Sequence, residues 1–373
     1  MRRFLLFLIP PAVIAAAFFL LRPYAAVMDY AWRRAGAVWR FVLGHLTSYL
    51  PISLMETIGT ALALLLVVFL AALVISLLRR RGFGRALRRI GRLVIVVAYG
   101  AAVFIWAYLP GYFAQETYSG ALTRRDVSTD ELAAAMVYFR DRANATAPEV
   151  KRDAAGVFDE SVDDIITLSD LVYSGVTSRL PNLSGSRARP KKMLYSAIMS
   201  RTHFTGIYFA LTGEAHINDD APRAFLPFTA AHELAHSRGA AREDEANFVA
   251  VAACLTSNVT MYEYSGALAA LNYIGSALAR DDMEAYTEIA SGYGEYVRLD
   301  FDASRRYWGE IDEKNARSPA VAAFAAAVTE TYDGYLRANG QKSGMRSYGE
   351  CVDLLTVWAV ERGAGGAAAH PAS

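Results

Sequence analysis

The sequence predicts a mainly α-helical protein with a small β element: apolar helices of membrane-spanning length come first, and a largely helical soluble region follows. Three observations carry this prediction. Hydrophobic residues make up 54% of the 373 positions, and they concentrate before residue 113 in long uncharged runs. After that point apolar residues recur at helical spacing, and only one stretch, 206–219, has the aromatic and β-branched composition of a strand. The length allows about two domains, divided here into a membrane region, 1–113, a soluble domain, 114–362, and a Gly/Ala-rich tail, 363–373, expected to be disordered. A net charge of +1 gives no global field favouring nucleic acid or an acidic substrate.

The first apolar run, 4–21, "FLLFLIPPAVIAAAFFLL", is preceded by Arg2 and Arg3 and followed by Arg22 and Pro23. A cleaved signal peptide is the competing reading, disfavoured by the length and by the lack of an A-x-A-like site after the run. The second, 52–78, has Glu56 near its start and then "TALALLLVVFLAALVISLL". The third, 93–113, ends in Trp and Tyr residues suited to a membrane–water interface. Between the second and third runs, "RRRGFGRALRRIGR" holds seven arginines. Arginine-rich segments stay on the cytoplasmic side, so this loop and the N-terminus are expected inside and everything after Phe113 outside. The chain is thus expected to be a multi-pass protein of the cell membrane with an extracytoplasmic soluble domain. Arg22, Arg33, Arg34 and Arg40 run against that assignment, and segment 22–51 is read partly as an interfacial amphipathic helix.

In the soluble region, "STDELAAAMVYFRDRANAT" begins with a helix-capping signature, Ser128 or Thr129 ahead of Glu131. Residues 180–193, rich in Pro, Gly, Ser and basic side chains, read as an exposed loop. Residues 206–219 read as an edge strand, and apolar helical stretches follow at 248–278 and 320–336. Two cysteines, Cys254 and Cys351, are too few for a disulfide framework and form either one bridge or two buried thiols.

The chemistry concentrates in "FTAAHELAHSRGAAREDEANFVA", residues 228–250. On a helix, His232 and His236 project from one face and can bind one zinc ion, while Glu233 is placed to move a proton between a zinc-activated water and a leaving amine. Pro227 and Thr229 can start this helix and Gly239 can end it. A second helix then offers Glu243, Asp244 and Glu245 as a third ligand. Acidic residues favour helix N-termini in any protein, so position must choose among them. If that helix begins near Ala241, Glu243 and Asn247 share a face, and Asn247 can hydrogen-bond a histidine ligand. Glu245 lies about 200° further round, toward solvent or Arg242, and remains the alternative ligand. Two histidines and a glutamate on a helix otherwise bearing Ala, Leu and Phe are costly to bury without a partner.

These residues resemble the zinc metallopeptidases of the gluzincin type, with H-E-x-x-H on one helix and a glutamate on the next. More closely, "LPFTAAHELAHSRGAAREDEANF", with "GEAH" upstream and "YSGALAALNYIG" and "YDGYLRANGQKSGMRSYGECVDLL" downstream, resembles the bacterial membrane proteins grouped as domain-of-unknown-function family 3810. The resemblance implies a zincin-like domain in which an edge strand lies antiparallel to an extended substrate above the active-site helix. The E-x-x-x-D pattern of gluzincins carries over to Glu243 and Asn247 with Asn replacing Asp, and the His236–Glu243 connection is shorter than in many of them. Tyr262, Tyr264 and Tyr348 are candidates by residue type for stabilising an oxyanion, although packing is the commoner role; His216, in the expected edge strand, is a candidate substrate contact, and His203 reads as a loop residue. The expected function is a membrane-anchored zinc metallopeptidase acting on peptide or protein bonds. The alternative is a non-catalytic membrane protein whose zincin-like domain binds a peptide or cell-envelope partner; Glu233 argues against it, since a structural zinc site has no need of a general base.

Overall fold

The computed structural model describes residues 2–78, 82–342, 344 and 349–367. It is mainly helical with one three-stranded sheet. The chain opens with α1 (Arg2–Leu21), which contains Pro10 and Pro11. A nearly unbroken helical stretch follows, made of α2 (Ala25–Asp29), a π-helical segment (Tyr30–Ala35) and α3 (Gly36–Ser48). Next come α4 (Leu54–Leu78) and α5 (Phe83–Tyr108), with a 3₁₀ turn at Leu109–Tyr112. Two helical stretches, Leu54–Leu78 and Gly84–Tyr112, are long and apolar enough to cross a membrane, whereas the apolar part of α1, Leu6–Leu21, is shorter. Most of α4 is exposed along its length, Leu62, Leu64, Leu65 and Val67 included. Such a surface is stable only against another apolar phase.

Several expectations about elements are corrected. The arginine-rich segment is mostly helix: α5 begins at Phe83, so Arg85, Arg88, Arg89 and Arg92 occupy its first turns, the high helix propensity of arginine outweighing Gly84 and Gly91. Segment 22–51, read partly as an interfacial amphipathic helix, is helical from Ala25 to Ser48, with Met28, Trp32 and Arg40 buried and Val38, Trp39, Phe41 and Val42 exposed. The strand expected over 206–219 is a hairpin: β2 (Gly206–Phe209) and β3 (Glu214–Ile217) pair antiparallel, and Gly213, at φ +69°, supplies the left-handed residue the reversal needs. Finally, the apolar stretch 248–278 breaks at 256–259, where Asn258 takes φ +56°.

The remaining elements are α6 (Thr129–Thr146), α7 (Val162–Leu168), β1 (Pro190–Lys192), α8 (Ser196–Arg201), α9 (Leu226–Ser237), α10 (Glu243–Leu255), α11 (Thr260–Asp281), α12 (Met283–Ser291), α13 (Glu295–Ala316), α14 (Pro319–Ala338) and α15 (Val352–Ala367). Helix α6 starts in the expected capping box, Ser128 and Glu131 exchanging bonds with each other's backbone N–H. The exposed loop expected at 180–193 contains β1, which pairs parallel to β3 and gives the sheet order β1-β3-β2. Residues 363–367 of the expected tail continue α15, and 368–373 lie outside the described residues. Helix α11 runs through the core against α6, α9 and α10. One apolar core joins these helices to Phe18, Met28, Trp32 and Tyr112 of the N-terminal segment. Cys254 and Cys351 are two buried thiols.

Candidate metal centre

Helix α9 carries Pro227 in its first turn, where a missing N–H is harmless, and every residue from Leu226 to Ser237 is buried. All-round burial is what its Ala, Leu and Phe residues predict. The helix stops at Gly239, whose φ of +106° suits glycine, and the Gly239 carbonyl accepts a bond from Trp32 Nε1 at 2.8 Å. Three residues later α10 starts, with Arg242 as its N-cap.

Three consecutive acids open α10, and a rotation of about 100° per residue sends each to a different partner. Glu243 turns inward to the histidines: its Oε2 lies 3.2 Å from His232 Nε2 and 3.5 Å from His236 Nε2. The two Nε2 atoms are 3.2 Å apart, and the three donor atoms lie within 4.8 Å of one another. Asp244 pairs with Arg124 at 2.5 Å. Glu245, the alternative ligand, is withdrawn from the cluster: it accepts hydrogen bonds from the backbone N–H and the hydroxyl of Thr117 and is buried rather than turned to solvent. A carboxylate with two donors of its own is satisfied where it stands.

His236 Nδ1 donates to the Ala240 carbonyl at 2.7 Å, which leaves Nε2 of the neutral ring with its lone pair toward the cluster. Tyr332 donates its hydroxyl to Glu243 Oε1 at 2.7 Å. Electrostatics point the same way. Burial pulls the His236 imidazole down, but the Glu243 carboxylate more than reverses this and pushes it up to about 9. Burial would raise the Glu243 carboxyl, yet His236 and the imidazole hydrogen bonds hold it well below the usual range. Two imidazole nitrogens and a carboxylate oxygen within 4.8 Å of one another could hold a metal ion. Beside them Glu233 is buried, and burial raises its carboxyl to about 7. Gly206 of β2 faces Glu233 so closely that a Cβ there would overlap its carboxylate. His232, Glu233, His236 and Glu243 all line one cavity of about 700 Å³.

The family described as "Protein of unknown function (DUF3810)" matches residues 37–356. The chain belongs to that family. No curated protein and no solved structure matches it. The DUF3810 region begins in α3 and ends in α15, so it takes in the membrane-length helices α4 and α5 as well as the His232–His236–Glu243 cluster.

Within this DUF3810 chain most of the other expected site residues lie away from the cluster. Asn247 lines a smaller cavity with His232 and Glu233. His216 is in the central strand β3, not at an edge; its Nε2 lies 2.8 Å from Ser53 Oγ and its ring is wholly buried, so it is no substrate contact. Tyr262 donates to the Ile165 carbonyl at 2.6 Å, and Tyr264 donates to Asp300 and stacks on Phe158. Both are core residues of α11. Tyr348 lies outside the described residues. His203 bonds Asp312 and stacks on Trp308, as a loop histidine can. The tyrosines that do reach the cavity are Tyr208 of β2, stacked on His236, Tyr332 and Tyr335 of α14, and Tyr108 of α5. Their i, i+3 spacing in "YDGYLRANG" marks one face of a helix, a signal that needs the tertiary fold to say which surface that face meets.

Proposed function

We propose that the protein is a membrane-anchored zinc-dependent metallopeptidase that hydrolyses peptide bonds on the extracytoplasmic side. The observation that carries this reading is the convergence of His232 Nε2, His236 Nε2 and a Glu243 carboxylate oxygen in one cavity wall with a fourth, buried acid, Glu233. Two imidazoles and one carboxylate, with a position left for water, are a donor set zinc favours in catalytic sites. Zinc held there would lower the pKa of a bound water and polarise the carbonyl of the bond to be cut. Glu233 would accept the proton of the attacking water and deliver it to the leaving amine, and its buried carboxyl lies in the same cavity wall as the three donors. Tyr332 would hold Glu243 in place by its hydrogen bond. Strand β2 forms an edge of the sheet and would offer its backbone to an extended peptide.

Orientation is supported by the arginines: Arg85, Arg88, Arg89 and Arg92 cluster at the start of α5, the end remote from the metal cluster, and such residues stay on the cytoplasmic side. The test uses the full-length chain. Purified wild type should hold zinc, and the His232→Ala, His236→Ala double variant should not; equal zinc in both would exclude the site. Glu233→Gln should stay folded and metal-loaded while hydrolysis of a peptide library falls by about 10²–10⁴-fold. Unchanged turnover would remove Glu233 as the base.

A further inference from the structure

We propose that the 700 Å³ cavity selects polypeptide segments with bulky apolar side chains beside the bond to be cut; the inference rests on the peptidase reading above and names its substrate class. The lining is the first ground. Apart from the cluster, Glu233, Thr331 and the four tyrosines, the residues lining the cavity are apolar. Phe324, Ala327 and Val328 come from one face of α14, Met193 and Met199 from the α8 segment, and Ile207 from β2. An aliphatic or aromatic side chain gains by leaving water for such a surface. A charged one would lose its hydration with no partner to replace it.

The second ground is where the walls come from. Met55 of α4 and Phe104 and Tyr108 of α5 also line the cavity, so the ends of both membrane-length helices help to build it. The α8 segment is fixed to the start of α4: the Glu56 carboxylate accepts the backbone N–H groups of Leu194 and Tyr195 at 3.0 and 2.9 Å, and Tyr195 Oη lies 2.8 Å from Thr60 Oγ1. From that anchored position Met193 and Met199 face the cavity, while Leu194 is 80% and Ile198 52% exposed on the other side. The segment therefore presents apolar side chains both to the cavity and to whatever surrounds the first turns of α4. If α4 spans the bilayer, that surrounding is its boundary, and an apolar segment at the membrane surface meets apolar protein all the way to Glu233.

Binding and cleavage are measured separately. Full-length Glu233→Gln, zinc-loaded in phosphatidylcholine nanodiscs, is titrated against two fluorescent decapeptides that differ only at the centre, Leu-Phe in one and Glu-Lys in the other; empty nanodiscs correct for partition. Fluorescence anisotropy should give a Kd about tenfold or more lower for the Leu-Phe peptide. Val328→Asp and Phe324→Asp, on a partly exposed helix face and outside the metal cluster, should erase that preference while zinc content is unchanged. Equal affinity for both peptides, or a preference that survives both substitutions, overturns the inference. So does native mass spectrometry showing a phospholipid in the cavity that the Leu-Phe peptide does not displace. Zinc-loaded wild type that binds the Leu-Phe peptide without cleaving it rejects the peptidase reading alone and leaves the apolar preference standing.

Discussion

Glu243 and Glu245 stand two positions apart on one helix, and the difference in their neighbours makes opposite predictions for their removal. Glu243→Ala deletes one of three converging donors and should abolish most metal binding in a calorimetric zinc titration. Glu245→Ala should bind metal as before but lose about 1–3 kcal/mol of stability, because it strands the buried N–H and hydroxyl of Thr117. The larger metal loss in Glu245→Ala would overturn the assignment. His232 and His236 were legible in the sequence because helical periodicity puts residues four apart on one face, and Glu243 was legible as the first acid of the next helix. The environment of Glu245 was not: Thr117 comes from the loop after α5, 128 positions away, and no local pattern records that contact. Tyr332 escaped for the same reason, since it reaches Glu243 across 89 positions, whereas Tyr262 and Tyr264, candidates by residue type, point into the core.

At the scale of elements, Glu214 of β3 joins the sheet to the start of α4. Its carboxylate accepts the backbone N–H groups of Leu54 and Met55 at 3.0 and 2.9 Å and pairs with Lys191 at 2.7 Å. Burial would raise this carboxyl, but Lys191, the two N–H groups and Thr212 outweigh burial and hold it below its ordinary 4.5. A folded-state pKa below the unfolded one means that the group's stabilisation is complete above about 4.5 and is lost as pH falls through the lower folded value. Thermal unfolding of the full-length protein in detergent should therefore show a drop in Tm below pH 4.5 that is smaller in Glu214→Gln. An identical acid profile in the two proteins would show that this junction carries no such load. The long apolar helices were readable from composition, because hydrocarbon demands uninterrupted runs. The hairpin was not, because "ALTG" between β2 and β3 keeps strand-like letters and only the φ of Gly213 reverses the chain.

For the whole molecule, packing crosses residue 113. Met28, Trp32, Tyr108 and Tyr112 belong to the same core as α9, α10 and α11, and a Cβ on Gly111 would collide with Ala241 and Trp32. A fragment starting at residue 114 should consequently fail to give a cooperative unfolding transition or to retain zinc, while the full-length chain does both; a metal-binding, cooperatively folding fragment would show that the N-terminal segment is dispensable. The arginine distribution makes a separate prediction. A reporter fused after Phe113 should be active only outside the cytoplasm and one fused near Gly84 only inside, and the reverse result would place the cavity in the cytosol.

The bond from Trp32 to the Gly239 carbonyl ties the turn that ends the histidine helix to a segment lying between two apolar stretches of the chain. Trp32 is packed in the same core as α9 and α10, so the turn is completed by a residue that precedes both helices of membrane-spanning length. Without the Trp32 side chain this turn, which lies between His236 and Glu243, would lose the bond that fastens it. On the proposed hydrolase reading, the helix that carries the general base would then be secured by the opposite end of the chain, and activity would depend on the docking of that N-terminal segment.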